Sequence, residues 1–167
     1  MSQHVLCFKP TLDLYGGHDP SAAIFDDGEL VFAIEEERLN RRKHAVDDFP
    51  HQAINACLDS CDISLSDVDK IVLPYVPRLE SEIWLPELKR RLFSSKSVPE
   101  RLRWTERYLE HRVQAHILPT SKVNSELRHI GESIPPIENQ PHHRCHAASA
   151  FHPSGFDEAL VFTVDGK

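Results

Sequence analysis

The sequence predicts a mixed α/β fold, in which one sheet carries both antiparallel and parallel strands. Two observations support this prediction. Three strand-like apolar runs follow one another near the start of the chain, and helical and strand-like segments then alternate. With 167 residues, 40% of them hydrophobic, the chain is long enough to bury one substantial core.

The first three predicted strands cover residues 5–12, 21–26 and 30–36. Asp27-Gly28 separates the second strand from the third. An Asp-Gly pair between two apolar runs is a strong hairpin signal, because glycine tolerates a positive φ. The sequence therefore predicts an antiparallel start to the sheet.

The rest of the chain alternates between helical and strand-like patterns. Pro50 can open a helix at its first turn, and the apolar residues after it recur at helical spacing. We then predict a strand at 70–74 and two or three helices within 80–130, the middle one at about 99–115. A strand at 137–141, a helix at 143–151 and a final strand at 159–164 complete the chain. This order of elements also fits the actin-like, ribonuclease H-like fold.

The charge balance and the apolar runs exclude several classes of function. The chain has 19 basic and 26 acidic side chains, a formal net charge of −7, so it lacks the basic surplus that a phosphate backbone calls for. No apolar run approaches the roughly 20 residues that span a bilayer, and the start lacks the features of a secretory signal. We expect a cytoplasmic protein with no nucleic-acid partner and no membrane partner. Its four cysteines are expected to be reduced thiols.

A histidine cluster marks the first candidate site. His142 and His146 are four residues apart, so in a helix their imidazoles lie one turn apart on nearly the same face. Such a pair suits a divalent ion such as iron or zinc, and Asp165, at the end of a predicted strand, would complete a two-histidine, one-carboxylate set. The alternatives are a polar, partly exposed helix start and an ordinary Asp-Gly turn.

A loop and a charged stretch form the second candidate site. The glycine pair at 16–17 can bring backbone amides close to a ligand, and His18 and Asp19 offer a base and a hydrogen-bond acceptor in the same loop. A plain loop between strands is the alternative. The charged run at 35–44 is typical of a solvated face, although Lys43 or its neighbours could instead hold an anionic substrate.

Two blocks of the sequence resemble the O-carbamoyltransferases, a family of nodulation-type and antibiotic-tailoring enzymes. Residues 16–50 carry His-Asp-x-Ser-Ala, then Glu-Glu-Glu-Arg, then a basic stretch ending in Lys-His. Residues 142–166 carry His-His-x-x-His-Ala-Ala-Ser-Ala and a predicted strand ending in Asp-Gly. The resemblance implies an actin-like, Kae1-like domain that binds a metal and a nucleotide and moves a carbamoyl group to a hydroxyl of an acceptor.

The resemblance also implies a set of metal ligands. His142, His146 and Asp165 fall on the family's ligand positions. The expected cofactor is a divalent metal, with iron first and zinc, manganese or magnesium as the other choices. His143 could also face the site, but the four-residue spacing of the family favours His142. We expect His143 to contact nucleotide or to contact the metal ligands without binding the metal itself.

By the same resemblance, His18 falls on the loop histidine that lies near the acceptor. Asp19, the next residue in the loop, is expected to be a second catalytic residue. Lys43 falls in the basic stretch that lines that region and is expected to bind substrate. ATP would be a co-substrate and carbamoyl phosphate the carbamoyl source, with a hydroxyl-bearing small molecule or sugar as acceptor.

Residues 1–167 correspond to the N-terminal portion of the Kae1-like domain, incomplete at its C-terminus. In the family, a separate YrdC-like domain forms carbamoyladenylate from ATP and carbamoyl phosphate. We expect that domain to be absent from this chain and the chain alone to be inactive. Kae1-like threonylcarbamoyl transfer to tRNA and a non-catalytic metal- or nucleotide-binding fragment are the alternatives. A homodimer stays open, because the sequence does not fix the oligomeric state.

Overall fold

The computed structural model describes residues 2–10, 18–46, 48–74, 88–94, 97–106 and 119–164. Five strands lie in these ranges: β1 His4–Lys9, β2 Ser21–Asp26, β3 Glu29–Glu35, β4 Lys70–Leu73 and β5 Ile137–Asn139. They form one sheet in the order β3-β2-β1-β4-β5. The predicted mixed α/β fold is therefore confirmed.

The sheet begins with two antiparallel pairings and continues with two parallel ones. β2 pairs antiparallel with both β1 and β3. The turn between β2 and β3 places Asp27 at φ 48° and Gly28 at φ 86°, the two positive angles that a tight hairpin turn of this kind requires. β4 runs parallel to β1, and β5 runs parallel to β4. This strand order is that of the predicted ribonuclease H-like fold class.

Four helices are assigned in these ranges: α1 Glu36–Asn40, α2 His51–Ser60, α3 Pro119–Leu127 and α4 His142–Phe151. Residues 88–92 and 98–106 are also helical. The predicted middle helix at 99–115 is therefore present up to 106, and its remaining residues lie outside the described ranges. The helix predicted at 143–151 is confirmed and begins one residue earlier. In the described part of the chain, every helix falls short of the length and apolar character that a membrane crossing requires.

The core lies between one face of the sheet and two helices. Leu6 of β1 stands opposite Ile24 of β2 and Ile71 of β4, and all three side chains are fully buried. Because alternate residues of a strand face the same side, Phe8, Ala22 and Leu73 extend this face. The helices cover it with buried side chains of α2 and α3, namely Ala53, Ile54, Cys57, Leu58, Val123 and Leu127.

The four cysteines are free thiols, as expected. Cys57 is buried on α2, whereas Cys7, Cys61 and Cys145 are half-buried. Burial raises the pKa of Cys57 to about 12 and that of Cys7 to about 11. A thiol with such a pKa stays protonated at neutral pH. Cys57 packs in the hydrophobic core.

A buried glutamate joins the start of β2 to two helices. Glu36, which is 3% exposed, accepts hydrogen bonds at its carboxylate from the backbone N–H of Ala53 (2.7 Å) and Gln52 (3.3 Å). Its own backbone N–H donates to the carbonyl oxygen of Pro20 at 2.9 Å. The charged run at 35–44 is thus not simply a solvated face. One of its carboxylates satisfies the free N–H groups at the start of α2.

The predicted final strand at 159–164 is wrong. These residues have no strand partner among the described residues, and Leu160, Phe162 and Val164 are 99%, 87% and 72% exposed. Alternating apolar residues indicate which side chains share a face, but a strand also needs a neighbouring backbone for its hydrogen bonds. The described part of the chain offers no such neighbour.

Candidate functional site

The loop before β2 brings a histidine and a carboxylate into direct contact. His18 Nδ1 lies 2.6 Å from Asp19 Oδ2. The other carboxylate oxygen, Asp19 Oδ1, lies 2.9 Å from Nδ1 of His44. Because an ionised carboxylate only accepts hydrogen bonds, each histidine donates its Nδ1–H to Asp19. Each imidazole then keeps a free electron pair on Nε2 when it is neutral.

The backbone holds the same residues together. The N–H of Asp19 donates to the carbonyl oxygen of His44 at 2.8 Å, and the N–H of His44 donates to Glu37 Oε2 at 2.7 Å. Asp19 and His44 both have positive φ, at 58° and 62°. A non-glycine residue adopts this conformation only where its surroundings enforce it, so the contacts define one arrangement of the loop.

The histidines raise the acidity of Asp19. The hydrogen bond from His18, followed by that from His44, holds the pKa of the Asp19 carboxyl below its usual value of 3.8. Asp19 is therefore ionised at neutral pH and remains an acceptor for both rings. All three side chains stay accessible to solvent, and that of His18 is the most exposed at 61%.

The flanking basic residues differ in what they contact. Lys9 donates from Nζ to the carbonyl oxygen of His18 at 2.7 Å, which ties the loop to the end of β1. Arg42 forms an ion pair with Asp48 at 2.7 Å. Lys43 is exposed, and no hydrogen bond or ion pair of its side chain occurs within the described ranges. The glycine pair at 16–17, which is predicted to bring backbone amides close to a ligand, lies outside the described residues.

The sequence predicts His18 and Asp19 as a site, whereas the structure adds His44 and Glu37 to the same group. The ligand atoms of Asp19, Glu37 and His44 all lie within 4.8 Å of one another. The sequence feature that contains Glu37 and His44 is the Glu-Glu-Glu-Arg run followed by Lys-His. Its pattern indicates a charged face and a substrate-binding Lys43, not a contact with Asp19. His44 reaches Asp19 because the short 3-10 turn at Lys43–Ala45 lies beside the loop that precedes β2.

The second group of histidines lies on α4. Nε2 of His142 and Nε2 of His146 are 3.0 Å apart, and their ring centroids are 4.4 Å apart. Two nitrogens bound to one ion at about 2.0–2.1 Å would lie roughly 3.0–3.4 Å apart. The pair therefore has the separation that a shared cation requires, and metal binding there stays a prediction.

The other residues assigned to that site have different outcomes. The ring of His143 lies 6.1 Å from that of His142, centroid to centroid, and His143 is exposed. The choice of His142 and His146 as the ligand pair stays a prediction. Asp165 lies outside the described residues, so its distance from the histidines stays a prediction.

Fold and site together define a mixed α/β protein with two histidine groups, one around the loop before β2 and one on α4. A family model described as the carbamoyltransferase N-terminus matches residues 12–167, nearly the whole chain. The chain therefore belongs to the carbamoyltransferase family and corresponds to the N-terminal part of its members.

Two curated relatives match most of this chain. The protein sll1178 of Synechocystis sp. is 37% identical over 155 residues, and the nodulation protein NolNO of Sinorhizobium fredii is 32% identical over 151 residues. Each match covers 89% of this chain. The chain spans only 24% of the first relative and 19% of the second.

Among solved structures, the chain is similar to YeaZ from Pseudomonas aeruginosa. The TM-score is 0.43 at 13% sequence identity, and the match covers 92% of this chain and 50% of YeaZ. A likeness of that size carries no functional meaning. The fold class therefore rests on the strand order of the sheet, and the family on the match over residues 12–167.

Proposed function

We propose that the chain carries the carbamoyl-transfer part of an O-carbamoyltransferase and that His18 is its general base. The observation that carries this proposal is the 2.6 Å contact between His18 Nδ1 and Asp19 Oδ2. A histidine oriented by a carboxylate at one nitrogen, with its other nitrogen open to solvent, is a common arrangement for proton transfer. Membership of the carbamoyltransferase family supplies the type of reaction.

The proposed reaction moves one carbamoyl group to an oxygen. His18 Nε2 accepts the proton of the acceptor hydroxyl while the hydroxyl oxygen bonds to the carbamoyl carbon of carbamoyladenylate. The bond from that carbon to the phosphate oxygen breaks, and AMP leaves with the electron pair. Asp19 stabilises the imidazolium that forms on His18. ATP and carbamoyl phosphate supply the carbamoyladenylate, and a small molecule or sugar supplies the hydroxyl.

Two residues are proposed to bind the anionic part of the substrate. Lys43 immediately precedes His44, and its exposed ammonium can attract a phosphate close to the His18 loop. His143 is exposed at the start of α4, beside the histidine pair, where it can contact the nucleotide.

The histidine pair on α4 fits a divalent metal. His142 and His146 would hold the ion through Nε2, with Asp165 as a third ligand, and iron is the first choice before zinc, manganese or magnesium. When bound, such an ion offsets the negative charge of the adenylate phosphate. The role of the protein in this region is to hold two imidazoles on one helix face at the required separation.

Substitution of His18 tests the general base. In the complete gene product, supplied with ATP, carbamoyl phosphate and a hydroxyl acceptor, His18→Ala should lower kcat by about 10²–10⁴-fold. His129→Ala, at an exposed histidine in the turn after α3, is the matched control and should keep full activity. A loss of less than tenfold in His18→Ala would reduce His18 to a structural loop residue.

Metal binding is tested without activity. In anaerobic calorimetric titration of the complete gene product with Fe²⁺, His142→Ala and His146→Ala should each weaken binding by roughly tenfold or more, because each removes one ligand. His143→Ala should leave the affinity nearly unchanged. Equal effects of all three substitutions would contradict the assignment of the pair.

A further inference from the structure

We propose that His44 is a positioning residue, which holds the Asp19 carboxylate so that it fixes His18 as the Nδ1–H tautomer. This inference rests on the proposed role of His18 as the base. It adds a residue from outside the His18 loop, 25 positions further along the chain, to the proton-transfer apparatus.

Two histidines hold the side-chain carboxylate of Asp19. This carboxylate is exposed enough to rotate freely in the absence of partners, yet each of its oxygens has a histidine donor, at 2.6 Å and 2.9 Å. Loss of the His44 bond would free one oxygen and allow the carboxylate to turn away from His18. A histidine without a fixed acceptor at Nδ1 can carry its proton on either nitrogen, and only the Nδ1–H form leaves Nε2 free to act as a base.

Backbone hydrogen bonds hold His44 in place. Its carbonyl oxygen accepts a hydrogen bond from the N–H of Asp19, and its own N–H donates to the carboxylate of Glu37. With φ at 62°, the backbone of His44 directs the side chain back toward the loop that carries Asp19. His44 therefore contacts Asp19 through both its backbone and its ring. These two contacts fix its position relative to Asp19, as a positioning residue requires.

The same residues could also be considered as metal ligands. Asp19, Glu37 and His44 could bring ligand atoms to one cation, since those atoms lie within 4.8 Å of one another. Hydrogen bonds already join the same three residues, however. Asp19 Oδ1 accepts from the His44 ring, and Glu37 Oε2 accepts from the His44 backbone.

The test compares two substitutions that both tolerate the positive φ of position 44. His44→Gly removes the donor without backbone strain, and His44→Asn retains an N–H donor on a residue that accepts left-handed φ. Long-range ¹H–¹⁵N spectra of the histidine rings report the tautomer directly. In the unaltered protein, both His18 and His44 should be Nδ1–H tautomers when neutral.

In His44→Gly, the His18 population should shift toward the Nε2–H tautomer, and His44→Asn should restore the Nδ1–H form. In the complete gene product, His44→Gly should lower kcat roughly tenfold or more with little change in KM, and His44→Asn should recover most of it. The two variants fold alike if their amide spectra outside the loop coincide.

The proposal is overturned if His44 of the unaltered protein is an Nε2–H tautomer, a measurement that needs no variant. It is also overturned if His44→Gly leaves the His18 tautomer unchanged, or if near-stoichiometric Zn²⁺ shifts the His44 ring signals, since His44 would then be a metal ligand. A tautomer shift in His44→Gly together with full activity in His18→Ala would instead support the positioning contact and refute the proposed function.

Discussion

At Asp19, one carboxylate accepts hydrogen bonds from two histidines that lie far apart in the sequence. Both bonds favour the ionised carboxylate and therefore lower its pKa, with the His18 bond as the larger cause. The stabilisation from these bonds is complete above the usual value of 3.8. It is lost as the pH falls through the lower pKa of the folded protein.

We therefore expect His44→Gly to raise the pKa of Asp19 toward 3.8 without reaching it, because the His18 bond remains. Carboxyl ¹³C chemical shifts followed through a pH titration measure this directly. Asp67 is an internal control, since its pKa is lowered by hydrogen bonds from Ser64. An Asp19 pKa that stays fixed while position 44 changes would show that the two side chains are not coupled.

The sequence predicts contacts between adjacent residues better than contacts between residues that lie far apart in the chain. His18 and Asp19 are neighbours in a loop between strands, so their pairing could be anticipated. His44 could not be assigned to the same group, because its contact with Asp19 depends on how the turn after α1 meets the loop before β2. That meeting is a property of the tertiary fold and leaves no local pattern.

At the scale of elements, α2 begins without a capping side chain of its own. Pro50 precedes the helix and offers no side-chain acceptor, and Glu36 of α1 accepts the hydrogen bonds instead. The sequence correctly predicted a helix opening at Pro50. It could not show that the cap comes from a residue 17 positions before Ala53.

Removal of this cap should destabilise the protein. Glu36→Ala leaves two backbone N–H groups without their acceptor, at an expected cost of about 1–3 kcal/mol in the free energy of unfolding. Urea denaturation of the chain measures that cost. Glu35→Ala is the matched control, because Glu35 is an exposed partner of Arg38 and its loss should cost less than about 0.5 kcal/mol. Similar costs for the two variants would contradict the capping role.

α4 shows how a helical period supports a prediction of side-chain geometry. The four-residue interval between His142 and His146 predicted that their rings would meet, and their Nε2 atoms lie 3.0 Å apart. Whether Asp165 joins them could not be judged from that interval, because it depends on where the segment after α4 runs.

For the whole molecule, residues 159–164 are the part where the sequence pattern and the structure disagree. Their apolar side chains alternate as in a strand, yet three of them are largely exposed to solvent. Exposed apolar side chains favour association with other chains. They contribute little to the stability of the described core.

We therefore expect the double substitution Leu160→Lys, Phe162→Lys to reduce self-association of the chain and to leave its unfolding free energy within about 0.5 kcal/mol. Sedimentation velocity and urea denaturation measure the two effects. Leu127→Ala, at a fully buried position, is the contrasting control and should cost about 2–5 kcal/mol. A comparable stability loss in the double variant would show that the segment is packed.

Under the proposed function, this family member transfers a carbamoyl group to an oxygen with His18 as the base. The most direct measurement supplies ¹³C-labelled carbamoyl phosphate, ATP and hydroxyl acceptors to the complete gene product and locates the label by NMR and mass spectrometry. We expect a labelled carbamate ester on an acceptor oxygen, formed by the unaltered protein and by His129→Ala but nearly absent with His18→Ala. Label transferred to tRNA, or an ester formed equally well by His18→Ala, would show that the proposed function is wrong.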